Sequence, residues 1–586
     1  MPYGAEAAEF EKIYNDVLMP FVCSLNKFPE IQALIHYSGV LLNWVERSHP
    51  ELFMLIEDMV SRKQIEMLSG GFYEPILPII PLQDKIGQIE LLTTYLRKQF
   101  GKKPHGCWIP AFAWEQNLVS PLVSCDMGYT FLHESQFSYA DNIDSPCICE
   151  DQGKIIIVFP IWDSLSNTLA KKSIKTVLQE CSGKYPEGKE IIISIFPCSK
   201  AVGKGWNQFF EELSKCGNFA ETITPGKLYK NLKGLKKIFI PDSASIQDVP
   251  PRSFIAKNHE SSRIYSKMIF TNVIINQFKG DKSRKKTARE EIWKAQNCAL
   301  YSNCGCQAEN NALLRNASYS ALLSAERLTR ERGKFAPSLV PYDINTDNID
   351  DWLFHDTKIN CYVQSLGGGI FELDYLPKTW NYLNTINNRL GFADRLLPFG
   401  TSGVDLENEK ITGTRFCQNE YYELLDLDKS RRRIKLMLRP RDNIPFGKIS
   451  IKKSYSQKKD SICVSYSLIN SSEKPEKFQF SPMIDLSFHS TDSVRFFSCK
   501  SGMEETLITD FAVKETDGIK IHDLENETQI LFTANRVSEG RISPVYLIDN
   551  SKKNKFFQAY CIMPVYRLSL APQESYSIEF ILKFTH

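Results

Sequence analysis

A change of hydrophobic period partway along the chain most constrains its fold. Through roughly the first 240 residues, short apolar runs alternate with amphipathic stretches. In "EFEKIYNDVLMPFVCSL", helical spacing puts Phe10, Ile13, Tyr14, Val17 and Phe21 on one face. "IQALIHYSG" reads as a short buried strand, "HPELFMLIEDMVSRK" as a second helix and "QIEMLSGG" as a second strand. "LQDKIGQIELLTTYLRKQFG" is a third helix, stopped by Gly101. Further strands are expected at "GCWIP", "YTFLHE", "KIIIVFP", "EIIISIFP" and "KKIFIP". Strands that alternate with helices build a parallel sheet, and this many units suit a β/α barrel.

From about 259 to 334 the pattern is helical, through "TAREEIWKAQNCALY" and "NALLRNASYSALLSAERLTRERG". The basic run "KGDKSRKK" within it reads as a solvated loop rather than an anion site, because single short charge runs are common. After "KFAPSLVPYD" the period becomes two. "INCYVQSLGGGIFELDYL", "KISIKKSYS", "DSICVSYSLINSS" and "YSIEFILKF" are strands separated by Gly, Asn and Ser turns, as in a large β-sandwich. The expected parts are a barrel over 1–254, a helical bundle over 255–335 and a β-sandwich over 336–586. The fold class is α/β plus all-β.

Composition narrows the function. A net charge of +2 argues against a dedicated nucleic-acid surface. No apolar run is long enough to span a bilayer and no basic-then-apolar leader opens the chain, so a cytoplasmic protein without membrane contact is expected. The 16 cysteines are scattered, which suits reduced thiols and not a disulfide framework. Cys147 with Cys149, and Cys298 with Cys304 and Cys306, lack the paired spacing of a zinc ribbon. No metal and no cofactor are expected.

"HYSGVLLNWVE", "KQIEMLSGGFYEPILPIIP" and "GCWIPAFAWEQNLV", in this order and spacing, resemble the amino-terminal barrel of glycoside hydrolase family 57. The likeness is to its 4-α-glucanotransferases and α-amylase-like members. It continues through "AQNCALY", "LLRNASYSALLSAERL" and "SLGGGIFELDYLPKTWNYLN". The resemblance implies an incomplete seven-stranded β/α barrel, a helical bundle and a β-sandwich. It also implies α-1,4-glucan as substrate.

Retaining glycosidases need a carboxylate nucleophile and a carboxylic acid about 5 Å apart. The family's nucleophile lies in a W-L-x-E-R-V-W segment, which sets Ala111 at the Glu position and Phe112 at the neighbouring Arg. Its acid lies in F-H-D-D-G-E, which sets Pro197, or Cys198 one register along, at the Asp. No catalytic residue is therefore assigned. The A-Q-C-N-D-A-Y-W-H segment keeps Ala295, Gln296 and Tyr301 but loses its Asp and His. Gln247 stands where the S-Y-x-E-M segment has an acid. Where the family has a strand ending in H-x-H-Q-P, this chain starts "MPYG", so that strand is expected to be absent or encoded upstream of Met1.

Candidate substrate-binding residues are His36, Glu66, Tyr73, Glu74, Trp108, Gln296 and Tyr301. Of these, His36 reads as a core histidine and not a catalyst, and Glu66 as a structural acceptor facing the barrel interior. Trp108 and Tyr73 can stack on the C–H face of a sugar. Glu115, read as lying on the helix after the turn, points away from the strand end. Cys198, Cys298, Cys304 and Cys306 fall in converging segments, but their spacing matches no metal motif. The favoured function is a degenerate relative that binds α-glucan or maltooligosaccharide without turning it over. An active transglycosylase or amylase using displaced carboxylates, and an interaction scaffold that binds no sugar, stand as alternatives. Oligomeric state is left open.

Overall fold

The structure, a computed structural model, describes residues 2–586 apart from 138–144, 170, 183–191, 196–204, 219, 243–248, 302–311, 331–334, 387–388, 402–415, 442–445, 447, 500–505, 509–511 and 550–553. It divides into two compact units. One comprises Met1–Asn258 with Trp293–Gln307, the other His259–Ile292 with Ala308–His586. No described helix is long and apolar enough to cross a membrane.

The first unit holds the alternating strands and helices. Its strands are β1 (Ala33–Ile35), β2 (Ile65–Met67), β3 (Gly106–Cys107), β4 (Tyr129–His133), β5 (Cys147–Asp151), β6 (Lys154–Ile161) and β7 (Lys237–Ile238). β1 pairs with β2 in parallel, a parallel bridge from Ser69 to Cys107 carries the run to β3, and β4 and β6 follow in parallel. Another parallel bridge, Ile161 to Ser194, extends it. β5 runs antiparallel to β6 and parallel to β7, so "KKIFIP" pairs with β5 and does not extend the parallel run. The described pairings form an open run and include no ring closure.

Several helices form where the periodicity places them, but the KSRKK part of "KGDKSRKK", read as a loop, opens the helix Lys282–Lys294. Leu82–Phe100 ends on Gly101 at φ 70°, a left-handed cap that glycine takes without strain. The first expected helix is interrupted: Ala7–Ile13 and Met19–Asn26 flank a π-helical turn, Tyr14–Leu18. That wider turn shifts the phase of the face, so Val17 is 43% exposed although regular spacing placed it inward. Tyr14, Leu18, Val22 and Leu25 carry the buried stripe instead.

In the second unit, β8 (Ser338–Tyr342), β9 (Asp351–His355), β10 (Ile359–Val363), β11 (Ile370–Tyr375) and β12 (Trp380–Asn381) form one antiparallel sheet in the order β12-β11-β10-β9-β8. Among the described residues a second sheet has twelve strands, from Ala393–Pro398 to Ser575–Thr585. Ser461–Asn470 shows the driving pattern: Ile462, Val464, Tyr466 and Leu468 are buried and alternate with smaller polar residues. Ile359, Cys361 and Val363 of the small sheet share one apolar core with Ile449, Val464 and Phe480 of the large one, which makes a sandwich.

Two buried ionic groups fix this unit. Asp394 accepts hydrogen bonds from Lys453 Nζ (2.8 Å), Tyr466 (3.0 Å) and Tyr422 (2.5 Å). Lys453 also donates to the carbonyl of Gly368 at 2.8 Å. A side chain at 368 would strike the Tyr422 ring, which is why the "SLGGG" turn needs glycine there.

The other group joins the helices His259–Gln277 and Ala312–Arg330 to β10 and β11. Lys267 Nζ lies 2.7 Å from Asp374, 3.0 Å from Glu326 and 3.5 Å from Glu372. Arg330 bonds Glu326 and Asn360, and Asn360 bonds both Glu326 and Asp374, at 2.9 Å each. Tyr362 reaches Lys267 and His355, and Tyr319 and Arg263 approach the outer oxygen of Glu372. Burial opposes the charge on Glu326, but Lys267 and Arg330 hold its carboxyl below the usual range. Burial, and then the neighbouring Asp374, hold Glu372 well above that range.

A carboxyl raised in the folded state keeps its proton after the unfolded chain has lost it. Stability from Glu372 is therefore complete in acid and falls as pH rises through the raised value. E372Q keeps the neutral shape and should lose that slope. Between about pH 5 and pH 8 the wild-type melting temperature should fall a few degrees more than that of E372Q, read by circular dichroism. Parallel curves would show that Glu372 is ionised throughout.

Candidate functional site

Because β1, β2, β3, β4 and β6 run parallel, their carboxyl ends lie side by side. Ligands of β/α folds bind at that edge. Backbone pairing continues past the strands: Leu68 N–H donates to Ile35, and Trp108 N–H to Ser69, both at 2.8 Å. Gly70 leaves β2 in this crowded edge, where an added Cβ would sit 2.8 Å from the His36 ring and 3.2 Å from the Trp108 carbonyl.

His36 follows β1. Its Nδ1 faces the Leu68 carbonyl at 3.3 Å and its Nε2 lies 3.0 Å from Glu74. Glu74 reaches it from a left-handed backbone, φ 53°. Burial pushes the Glu74 carboxyl up, but the hydrogen bond and charge of His36 outweigh it and hold the group below the usual carboxylate range. His36 is thus a satisfied histidine at the rim, and it begins a row of rings. Trp108 stacks at 6.1 Å from His36, Phe112 lies 5.1 Å from Trp108, and His133 lies 5.9 Å from Phe112.

The turn after β3 has unusual backbone. Ala111 sits at φ 57°, ψ 11°, and Phe112 at φ 50°. Left-handed conformations cost L-residues about 1–2 kcal/mol each. The turn is held by Phe112 N–H to Ile109, Ala113 N–H to Pro110, and a 2.8 Å bond from Gln136 Nε2 to the Phe112 carbonyl. Ile109, Ala113 and Trp114 are fully buried, which anchors both ends. The Phe112 ring is 6% exposed and packs with Leu68, Tyr129, Phe131, Phe159 and Ile161 in the apolar interior of the strands.

Carboxylates near this turn are engaged. Glu66 accepts from Tyr129 OH and from Gly226 N–H at 2.9 Å, as a structural acceptor would. Glu115 is extended backbone ahead of the helix Val119–Ser124 and not on it, because a 3-10 turn, Gln116–Leu118, intervenes. Its carboxylate lies 2.6 and 3.2 Å from Arg252 Nε and Nη2, and 3.1 Å from Asn117. Glu134, beyond β4, takes the backbone N–H and hydroxyl of Ser164.

Gln296 and Tyr301, expected at the sugar, are fully buried and present no atom to a ligand in this structure. They brace the wall behind it. Gln296 donates to Asp84 at 2.7 Å and accepts from Gln88 at 2.8 Å, Trp293 donates to Asp84 at 3.0 Å, and Gln88 accepts from Tyr73 N–H at 3.0 Å. Asn297 and Cys298 N–H hold the carbonyls of Tyr73 and Glu74 at 2.8 Å. Tyr301 OH donates to the Ala295 carbonyl at 2.8 Å. Tyr73 is half-buried against Phe72 and Tyr3, outside the ring row.

Pro197, Cys198, Gln247, Cys304 and Cys306 lie outside the described residues. Among the described ones no three His, Cys, Asp or Glu side chains gather as metal ligands. Sequence reasoning missed His133, Gln136, Arg252, Asp84 and Gln88 as parts of this region. For His133 the signal was present: it is the last residue of "YTFLH", where a strand end projects toward a ligand.

A sequence model of glycosyl hydrolase family 57 matches residues 4–172. A 4-alpha-glucanotransferase of Thermococcus litoralis is 34% identical over 439 residues, 66% of this chain and 64% of that protein. Alpha-amylase 1 of Dictyoglomus thermophilum is 26% identical over 456 residues, 68% of this chain and 66% of that one. The matches thus span about two thirds of these relatives' length. The crystal structure of 4-alpha-glucanotransferase from Thermococcus litoralis superposes with a TM-score of 0.82 at 20% identity, covering 100% of this chain and 98% of that one, so the fold is shared.

Asp84 is fully buried and satisfies two donors of the brace. D84A should cost about 2–4 kcal/mol in urea unfolding, because buried donors left unmet each cost about 1–3 kcal/mol. A loss below about 0.5 kcal/mol would mean that the brace relaxes freely.

Proposed function

Residues 4–172 carry a glycosyl hydrolase family 57 domain, and from that premise we propose that the chain is a degenerate, catalytically impaired relative of the 4-α-glucanotransferases that binds α-1,4-glucan. The observation that carries this reading is the turn at Ala111. Its backbone is strained and firmly held, yet it presents a methyl group and a buried phenyl ring. A methyl group cannot attack an anomeric carbon, so double displacement has no first step. The described carboxylates around it do not offer a replacement: Glu66, Glu74, Glu115 and Glu134 each bond groups of the protein itself. Replacing the family acid by Pro197 or Cys198 removes the proton donor as well.

Glucan binding is supported by what the edge retains. Trp108 is partly exposed beside the His36–Glu74 pair, and sugar rings stack their C–H faces on such indoles. On this reading the first unit is an incomplete barrel, and the protein works in the cytoplasm without nucleic acid or membrane. Tyr73 serves as an outer contact, while Gln296, Tyr301 and Glu66 keep the edge in shape.

Incubation with maltoheptaose should leave its chain-length distribution identical to that of a heat-killed control. Redistribution of chain lengths would identify an active enzyme using displaced carboxylates. Affinity electrophoresis through a glycogen gel should retard the protein, and W108A should migrate measurably faster than wild type. Unretarded wild type would identify an interaction scaffold that binds no sugar.

A further inference from the structure

His133 ends β4, in the middle of the parallel run, with its ring beside Phe112. Its backbone N–H donates to Gln136 Oε1 at 2.9 Å, and Gln136 Nε2 donates to the Phe112 carbonyl at 2.8 Å. The histidine is thereby tied to the same turn that holds Ala111.

Its tautomer follows from its neighbours. The Ser135 backbone N–H points at Nδ1 from 3.2 Å, and an amide N–H can only donate. The Ser135 hydroxyl also lies 2.8 Å from Nδ1 and can donate to it. Nδ1 is therefore the acceptor, and the ring proton of the neutral imidazole sits on Nε2. Nε2 is buried and has no hydrogen-bond partner among the described residues. Buried donors are nearly always matched, so one left unmet among the described residues at a strand end points to a further partner at that edge. His36, at the other end of the ring row, contrasts with it, since both its nitrogens face acceptors of the protein.

We infer that His133 donates its Nε2 proton to a hydroxyl oxygen of a neutral sugar stacked on Trp108. A neutral N–H donor suits an uncharged acceptor. Trp108, the partly exposed indole of the row, supplies the apolar surface that a pyranose face needs. This rests on the glucan-binding reading and adds the residue that would orient the sugar at the inner end of the row.

Isothermal titration with maltoheptaose tests it on wild type, His133→Phe and His133→Gln. H133F should lose about tenfold in affinity and H133Q, which keeps an N–H donor, should stay within about threefold of wild type. Equal affinity of H133F and wild type would overturn the assignment while leaving glucan binding intact. No binding by wild type would sink both. If the melt of H133F shows a damaged fold, the imidazole nitrogen resonances of His133 in the wild-type protein decide. They should shift on saturation with maltoheptaose, and resonances that stay put while the sugar binds would refute the role.

Discussion

The turn from Ile109 to Trp114 is the constraint on which the rest of the first unit depends. Two consecutive L-residues in left-handed backbone cost about 2–4 kcal/mol together. That cost persists only because the surroundings over-determine the turn. Trp114 and Ile109 are buried without remainder, and Gln136 reaches across from the end of β4 to hold the Phe112 carbonyl. Strained backbone of this kind aims a side chain. Here the strained residue is a half-buried alanine, and the phenyl ring beside it folds into the interior. On the proposed reading shape and chemistry are separated: the framework of the strand-end edge stands, with alanine at its strained turn.

The surrounding polar groups tell the same story of support. Glu66, Glu74 and Glu115 each sit near the turn, yet each is spent on a neighbour. The Asp84–Gln296–Gln88 relay does for the "GGFYEP" loop what Gln136 does for the turn, fixing backbone from behind. In the second unit the apolar sandwich supplies most of the burial, while the Lys267 and Lys453 groups fix alignment. Buried ion pairs recover their desolvation cost only with good geometry and further hydrogen bonds. Lys453 and Asp394 have both, through Tyr422, Tyr466 and the Gly368 carbonyl. Lys267 is shared among three carboxylates, one of which is better kept neutral.

Much of this was legible in the amino-acid order, because hydrophobic period and helix stops are local properties. The strands at Ile65–Met67 and Tyr129–His133 lie where short apolar runs place them, Ser461–Asn470 lies where alternation does, and Gly101 ends its helix. What was not legible depended on distant partners. Nothing local marks Ala111 as left-handed, since alanine usually avoids that region. A 3-10 turn removed Glu115 from the helix, and its partner Arg252 is 137 positions away. Gln296 and Tyr301 read as sugar contacts by resemblance, but a polar side chain behind a loop and one facing a cleft look alike in sequence. The π-helical turn at Tyr14–Leu18 shifted one buried face by a residue for the same reason: it answers to packing.

The proposed loss of the nucleophile is tested most directly by intact-mass spectrometry after prolonged incubation with a fluorinated α-glucosyl fluoride, a reagent class that accumulates the ester intermediate of retaining glycosidases. The mass of the wild-type chain should remain that of the unmodified polypeptide. Addition of one fluorosugar, mapped to any carboxylate, would contradict the claim that attack has been lost at Ala111.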